Sequence, residues 1–229
     1  MLEEADLGFA TTGGATLASF SDTKPLAYIP NPVDMSVDNH IAFEAKAPDI
    51  DVFFACDQPD TADRWVFAES VKEMLGPKYR VEYFGRRKGR PLRGDTYVRT
   101  LGSSRIGLNL NSREGELYAS DRMAQLLGNG LLLATYSSSG FDSYFSDDEM
   151  LFFSDASSLA VQISSAIDGD QRWRQMAKAG RAKALKIMNE ELVARFIVAI
   201  MSEDEIPSEW VFGDHVFNRS AVRQPRAVS

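Results

Sequence analysis

Tyr118-Ala-Ser-Asp-Arg-Met-Ala-Gln-Leu-Leu-Gly-Asn-Gly-Leu-Leu-Leu-Ala-Thr135 strings together a polar loop, a short helix and a buried strand. Asp121 and Arg122 stand where the loop enters the helix, Gly128-Asn129-Gly130 ends it, and the apolar run 131–134 follows at once. That order sets a helix N-terminus beside a strand edge. Free backbone N–H groups and the helix dipole there attract anions such as a diphosphate.

Outward from this stretch the same alternation recurs. Short apolar, β-branched or aromatic runs at 26–29, 51–55, 80–84, 106–110, 131–135 and 150–153 are bounded by Gly, Pro, Asn or Asp and read as strands. Helical spacing fills the gaps between them. Residues 62–75 place Trp65, Val66, Ala68, Val71 and Leu75 at near-helical intervals and stop before Gly76-Pro77. Residues 157–167 set Leu159, Ile163 and Ile167 on one face, and 170–201 carry a long helical stretch with a break expected near Asn189. Strands alternating with helices form parallel β-α-β units with right-handed crossovers. The expected fold is α/β: a Rossmann-like doubly wound parallel sheet with a long C-terminal helix. Ligands in such sheets bind at the carboxyl ends of the strands, so the loops after Phe84, Leu110 and Thr135 open on the expected site.

The ends of the chain read differently. Residues 1–25, with Thr11-Thr-Gly-Gly14, look like a helix-turn-strand fragment without a sheet of its own. Pro30-Asn-Pro-Val-Asp34 reads as a linker, because two prolines hold the backbone extended. The expected organisation is 1–33 as a remnant and linker, 34–201 as the ligand-binding domain and 202–229 as a tail. Within the tail, 209–217 is aromatic enough to dock, while 218–229 reads as loose.

Composition excludes several classes of function. Apolar residues make up 44% and charged residues 25% of the 229, the balance of an ordinary globular protein. No apolar run approaches the roughly 20 residues that span a bilayer. Met1-Leu-Glu-Glu-Ala-Asp6 carries acid where a secretion signal needs base, and the single Cys56 forms no intrachain disulfide, so the expected location is the cytoplasm. A net charge of −8 argues against a nucleic-acid partner. The basic cluster Arg86-Arg-Lys88, Arg90 and Arg93 is either a solvated loop or a surface for phosphates and the inner face of an anionic membrane. His40 and His215 stand alone and Asp147-Asp148 reads as a turn, so no metal site is expected.

Taken in order, these segments resemble the donor-binding half of a GT-B glycosyltransferase, of the spore-maturation and group 1 type. Tyr28-Ile-Pro-Asn-Pro-Val-Asp34 is similar to the crossing from acceptor to donor domain, and Val52-Phe-Phe-Ala55 to the first strand beyond it. Ser104-Arg-Ile-Gly-Leu-Asn-Leu-Asn111 resembles the strand before the sugar-binding loop. Arg122-Met-Ala-Gln125 with Gly130 resembles an R-x-x-E pattern followed by a glycine, and Phe141-Asp-Ser-Tyr-Phe145 with Met150-Leu-Phe-Phe153 the closing segments. The resemblance covers about residues 8–200 and makes 1–33 the last elements of an acceptor domain.

The resemblance implies a nucleotide-sugar donor, a glycan or lipid-linked acceptor, no cofactor and no obligatory metal. Arg122 suits a bidentate phosphate contact, and its position at the loop–helix junction favours that role over pairing with Asp121. Gln125 takes the place of a glutamate that accepts from ribose hydroxyls; its amide oxygen can still accept but brings no charge. Asp121 and Ser120 complete the junction. Arg86 and Lys88 follow a strand end where relatives carry basic phosphate ligands. Ser139 and Gly140 are small enough for a close backbone approach. Tyr118 either packs or stacks on the ligand, and Asn111 either caps a strand or faces the donor. No catalytic residue is identified, because the acceptor-side base belongs to the other domain. Three functions compete: a whole or partial glycosyltransferase of surface polysaccharide or lipopolysaccharide; a non-catalytic nucleotide-sugar binding module; and a doubly wound regulatory domain. The last needs a clustered acidic pocket, where these strand ends offer Asn, Ser and Arg.

Overall fold

The computed structural model describes residues 7–20, 25–57, 62–85, 89–111, 115–169, 171–213 and 216–217. Its main sheet holds five parallel strands: β3 (Ile50–Ala55), β4 (Val81–Phe84), β5 (Ser104–Asn109), β6 (Leu132–Tyr136) and β7 (Leu151–Phe153). They lie in the order β4-β3-β5-β6-β7. This is the doubly wound α/β arrangement expected, with strand limits within a residue or two of those read from the turn residues.

Six helices belong to this body: α2 (Ala62–Leu75), α3 (Gly94–Gly102), α4 (Asp121–Gly128), α5 (Ala156–Asp168), α6 (Arg172–Ile187) and α7 (Glu190–Met201). Alternation along the strands divides the core. Val52, Phe54, Ile106, Leu108, Leu132 and Ala134 face α2 and α5, where Trp65, Val71, Leu159 and Ile163 meet them. Phe53 and Leu133 face the opposite side, with Leu101 of α3, Met123 and Leu126 of α4, and Ala184 of α6. Each strand is therefore buried on both faces, which is why it reads as continuously apolar. The expected break at Asn189 is real. Its side chain accepts from Leu192 N at 2.8 Å and caps the start of α7.

Residues of the amino-terminal segment depart from expectation. Strand β1 (Gly8–Ala10) precedes a single-turn helix α1 (Gly14–Ala18), and β1 pairs in parallel with β2 (Leu26–Tyr28). Strand β8 (Val216–Phe217) pairs antiparallel on the other edge of β2. The segment thus owns a three-stranded sheet, completed by residues from the far end of the chain. The docking expected of the tail is present in Trp210 and Phe212, both buried; Trp210 stacks on Phe196 of α7 at 3.8 Å and 5°. The proline-bounded linker is fixed rather than loose: Val33 N donates to Met188 O at 2.9 Å, and Asn129 Nδ2 donates to Asp38 Oδ1 at 3.0 Å.

Helix α3 was not expected, because Arg90-Pro-Leu-Arg-Gly94 reads as loop. Arg90 turns back to pair with Glu82 at 2.7 Å, so this member of the basic cluster has a partner in β4. Residues 86–88 lie outside the described residues. Among the described residues no helix is long and apolar enough to cross a membrane.

Candidate functional site

In this strand order the winding reverses between β3 and β5. The helix that follows β3 and the helix that follows β5 leave on opposite faces of the sheet, so their first turns flank a crevice at the strand ends. Each sends one arginine into it. Arg64, third residue of α2, donates through Nη1 to the Leu110 carbonyl at 3.1 Å. Arg122, second residue of α4, donates through Nη1 to the same carbonyl oxygen, also at 3.1 Å. One neutral acceptor thus holds two guanidiniums that repel each other.

Arg64 is 7% exposed. Burial lowers its pKa from the ordinary arginine value, the neighbouring Cys56 opposes that shift, and the Arg122 charge adds to it. Arg64 stays charged, since no shift of this kind deprotonates arginine. Arg122 also lies 5.7 Å above the Phe54 ring, and among the described residues no carboxylate pairs with it. The junction therefore does not use Arg122 to neutralise Asp121. The Asp121 carboxylate instead accepts from the Arg122 backbone N–H at 2.8 Å.

The start of α4 is more occupied than its sequence suggests. Ser120 is the N-cap: its hydroxyl accepts from Met123 N at 3.2 Å and donates to Asn109 Oδ1 at 3.1 Å. Asn109 reaches on to Thr135 Oγ1 at 3.4 Å, tying the ends of β5 and β6 together. With Met123 N held by Ser120 and Arg122 N by Asp121, two first-turn amides already have partners. Positive charge at this rim comes from the two guanidiniums more than from the helix end.

Beside the crevice lies a cavity of about 340 Å³, floored by Ala55, Cys56 and Gly85 and walled by Arg93, Gly94 and Tyr97 on one side and Asp121, Arg122 and Gln125 on the other. Gln125 is locked, for the Tyr97 hydroxyl donates to its Oε1 at 2.8 Å. Burial pushes the Tyr97 hydroxyl up to about 12. Asp57 also lines this cavity. The strand ends therefore carry two carboxylates among the arginines, more acid than the Asn, Ser and Arg expected.

The remaining candidates lie on the loop that leads into α4 and on the turn after β6, which Leu117 N joins by donating to Ser139 O at 2.7 Å. Asn111 and Ser139 each bury a side-chain oxygen, Oδ1 and Oγ, that has no partner among the described residues, and Ser139 is only 4% exposed. Tyr118 is half-buried and close enough to Arg64 to affect its charge. Gly140 has φ +76°, a left-handed conformation that side-chain-bearing residues rarely adopt, and an added Cβ would meet Glu116 Cγ at 3.1 Å. The amino-terminal segment clasps this loop from outside: Ala119 N donates to Thr11 O at 3.0 Å, Gly13 N to Glu116 O at 2.9 Å, and Asn31 Nδ2 to Ala119 O at 2.9 Å. Arg86 and Lys88 lie outside the described residues. The structure thus brings Asp121, Arg122 and Gln125 to one cavity, places Asn111 and Tyr118 along the adjoining loop and Ser139 and Gly140 in the turn after β6, and makes Ser120 the cap of α4.

A doubly wound parallel sheet flanked by helices is the Rossmann-like α/β arrangement, in the form found in GT-B glycosyltransferases. The model of the glycosyl transferase-like family matches residues 64–198, over half of the chain, and the chain belongs to that family. Solved structures share the fold. Sucrose-phosphate synthase from Thermosynechococcus elongatus is 14% identical, with a TM-score of 0.61 over 88% of this chain and 59% of that one. HepE from Anabaena, determined in complex with UDP and glucose, is 13% identical, with a TM-score of 0.60 over 87% of this chain and 64% of that one. TarM is 11% identical, with a TM-score of 0.64 over 86% of this chain and 43% of that one. This chain therefore spans less than two thirds of the length of each. Among curated protein sequences none matches it.

Proposed function

We propose that this chain binds a nucleotide-sugar through its diphosphate and serves the transfer of the sugar, a hexose in the simplest case, to an acceptor hydroxyl. One observation carries the reading: Arg64 and Arg122 converge from opposite faces of the sheet on the Leu110 carbonyl. Two adjacent cations around one neutral oxygen repel each other. A diphosphate lying across the crevice would relieve that repulsion and accept from the guanidinium N–H groups. Family membership and the UDP and glucose held by HepE point to the same ligand class.

In the reaction the bond between the anomeric carbon and the diphosphate oxygen breaks, the acceptor oxygen takes its place, and the acceptor's hydroxyl proton passes to a base or to solvent. Negative charge grows on the leaving diphosphate, where the two guanidiniums stabilise it without the reorganisation that water would need. They perform in this way the task that a divalent ion performs elsewhere, so we propose that no metal is obligatory. The buried oxygens of Asn111 and Ser139, without a partner among the described residues, suit hydroxyl groups of the donor.

Titration calorimetry of the full chain with UDP and GDP tests the reading. Saturable binding of one or both is expected. Failure to bind any nucleoside diphosphate would remove the donor site and the transferase reading together.

A further inference from the structure

We propose that Gln125 determines specificity by facing the cavity as a hydrogen-bond donor, so that it meets a phosphate or carboxylate oxygen of the ligand rather than a hydroxyl proton. This rests on the nucleotide-sugar reading above and sets the polarity of one of its contacts. The carboxamide of Gln125 has one accepting and one donating end. Its accepting end is turned to Tyr97, whose hydroxyl donates to Oε1 at 2.8 Å. Tyr97 is itself held: its ring packs edge-on to Phe53 with centroids 6.1 Å apart. Burial raises its pKa to about 12, which keeps the hydroxyl a donor at neutral pH. A planar amide with its oxygen fixed has its nitrogen fixed as well. Among the described residues Nε2 has no protein partner, and Gln125 lines the cavity together with Arg93 and Arg122.

The surroundings explain why an amide stands here. Asp57 and Asp121 already line the same cavity. A carboxylate at position 125 would add a third negative charge and oppose any anionic ligand. The amide keeps the contact with Tyr97 and supplies two N–H donors in place of that charge.

Gln125→Glu is the matching test, because a carboxylate can still accept from Tyr97 and differs only at the cavity-facing end. Calorimetry of the full chain, with the melting temperature as a check on folding, would use UDP, UDP-glucose and UDP-glucuronate. If the contact is a diphosphate oxygen, the variant should bind all three about tenfold more weakly or worse. If it is a carboxylate on the sugar, only UDP-glucuronate should weaken. In a Tyr97→Phe background the amide is free to turn, and the same substitution should cost less. Equal or tighter binding of all three ligands by a folded Gln125→Glu chain overturns the proposal, as does a penalty that is undiminished without the tyrosine hydroxyl. A wild-type chain that binds none of the three removes this inference along with the reading beneath it.

Discussion

Two arginines on one carbonyl make the sharpest residue-scale prediction. Arg122 is partly exposed and donates to Leu110 O, so its loss removes charge from the crevice while disturbing little packing. Arg122→Ala should weaken UDP binding by about 1.5–3 kcal/mol, the range for a hydrogen bond to a charged group. Calorimetry on wild type and variant measures it, and an unchanged affinity takes Arg122 out of the site. Arg64 is the less clean probe, because it is buried and its truncation also leaves a space beside the Leu110 carbonyl at the end of β5. The two differ in the same way in the sequence. Arg122 was legible because a loop, a helix start and a strand follow one another around it. Arg64 was not, because its helix reads as an apolar stripe and only the reversal of winding brings its guanidinium opposite Arg122. Tyr97 was hidden for a related reason: its role depends on a hydrogen bond across 28 positions.

At the scale of elements, strands announce themselves when both faces are buried, and five of the main sheet were legible to within a residue or two for that reason. Elements that borrow their stability were not. Strand β1 is three residues long and exists through its pairing with β2, while α3 follows a glycine and proline lead-in that carries the signals of a loop. Helix α6 shows how closely such elements are fitted. Gly180 lies mid-helix, where alanine is the better helix former by about 1 kcal/mol. A Cβ there would come 2.3 Å from the Glu149 backbone oxygen, in the turn that leads into β7. A backbone atom cannot swing aside as a flexible side chain can, so the clash outweighs the propensity. Gly180→Ala should lower stability by about 1–3 kcal/mol. Urea unfolding would read this as a shift in midpoint, and a stabilised variant would show that α6 has room to move away from the turn.

The molecule as a whole is closed by residues far apart in the chain. The small sheet joins β1 and β2 to β8, and the aromatic residues just before β8 fill the gap between that sheet and α7. Trp210 stacks on Phe196 at 3.8 Å and meets Phe212 edge-on at 5.4 Å; Phe212 in turn meets Tyr28 of β2 at 5.4 Å. This aromatic chain links tail, helix and small sheet, and the same small-sheet segment holds the loop leading into α4 through Thr11 and Gly13. Replacing a buried tryptophan by alanine costs about 3–5 kcal/mol in transfer and cavity terms. Set against a total stability of about 5–15 kcal/mol, that is a large share. Trp210→Ala should therefore lower the urea midpoint substantially. It should leave the slope unchanged if the whole chain unfolds as one unit. A shallower or biphasic transition would mean that the small sheet comes apart before the doubly wound sheet does. The crevice residues Arg64 and Arg122 sit on α2 and α4, away from this aromatic chain, so below the transition UDP affinity should fall only to the extent that the clasped loop moves. A variant with wild-type stability would show that the tail merely lies against the body, and the coupling between the two sheets would then have to come from the linker around Val33 and Asp38.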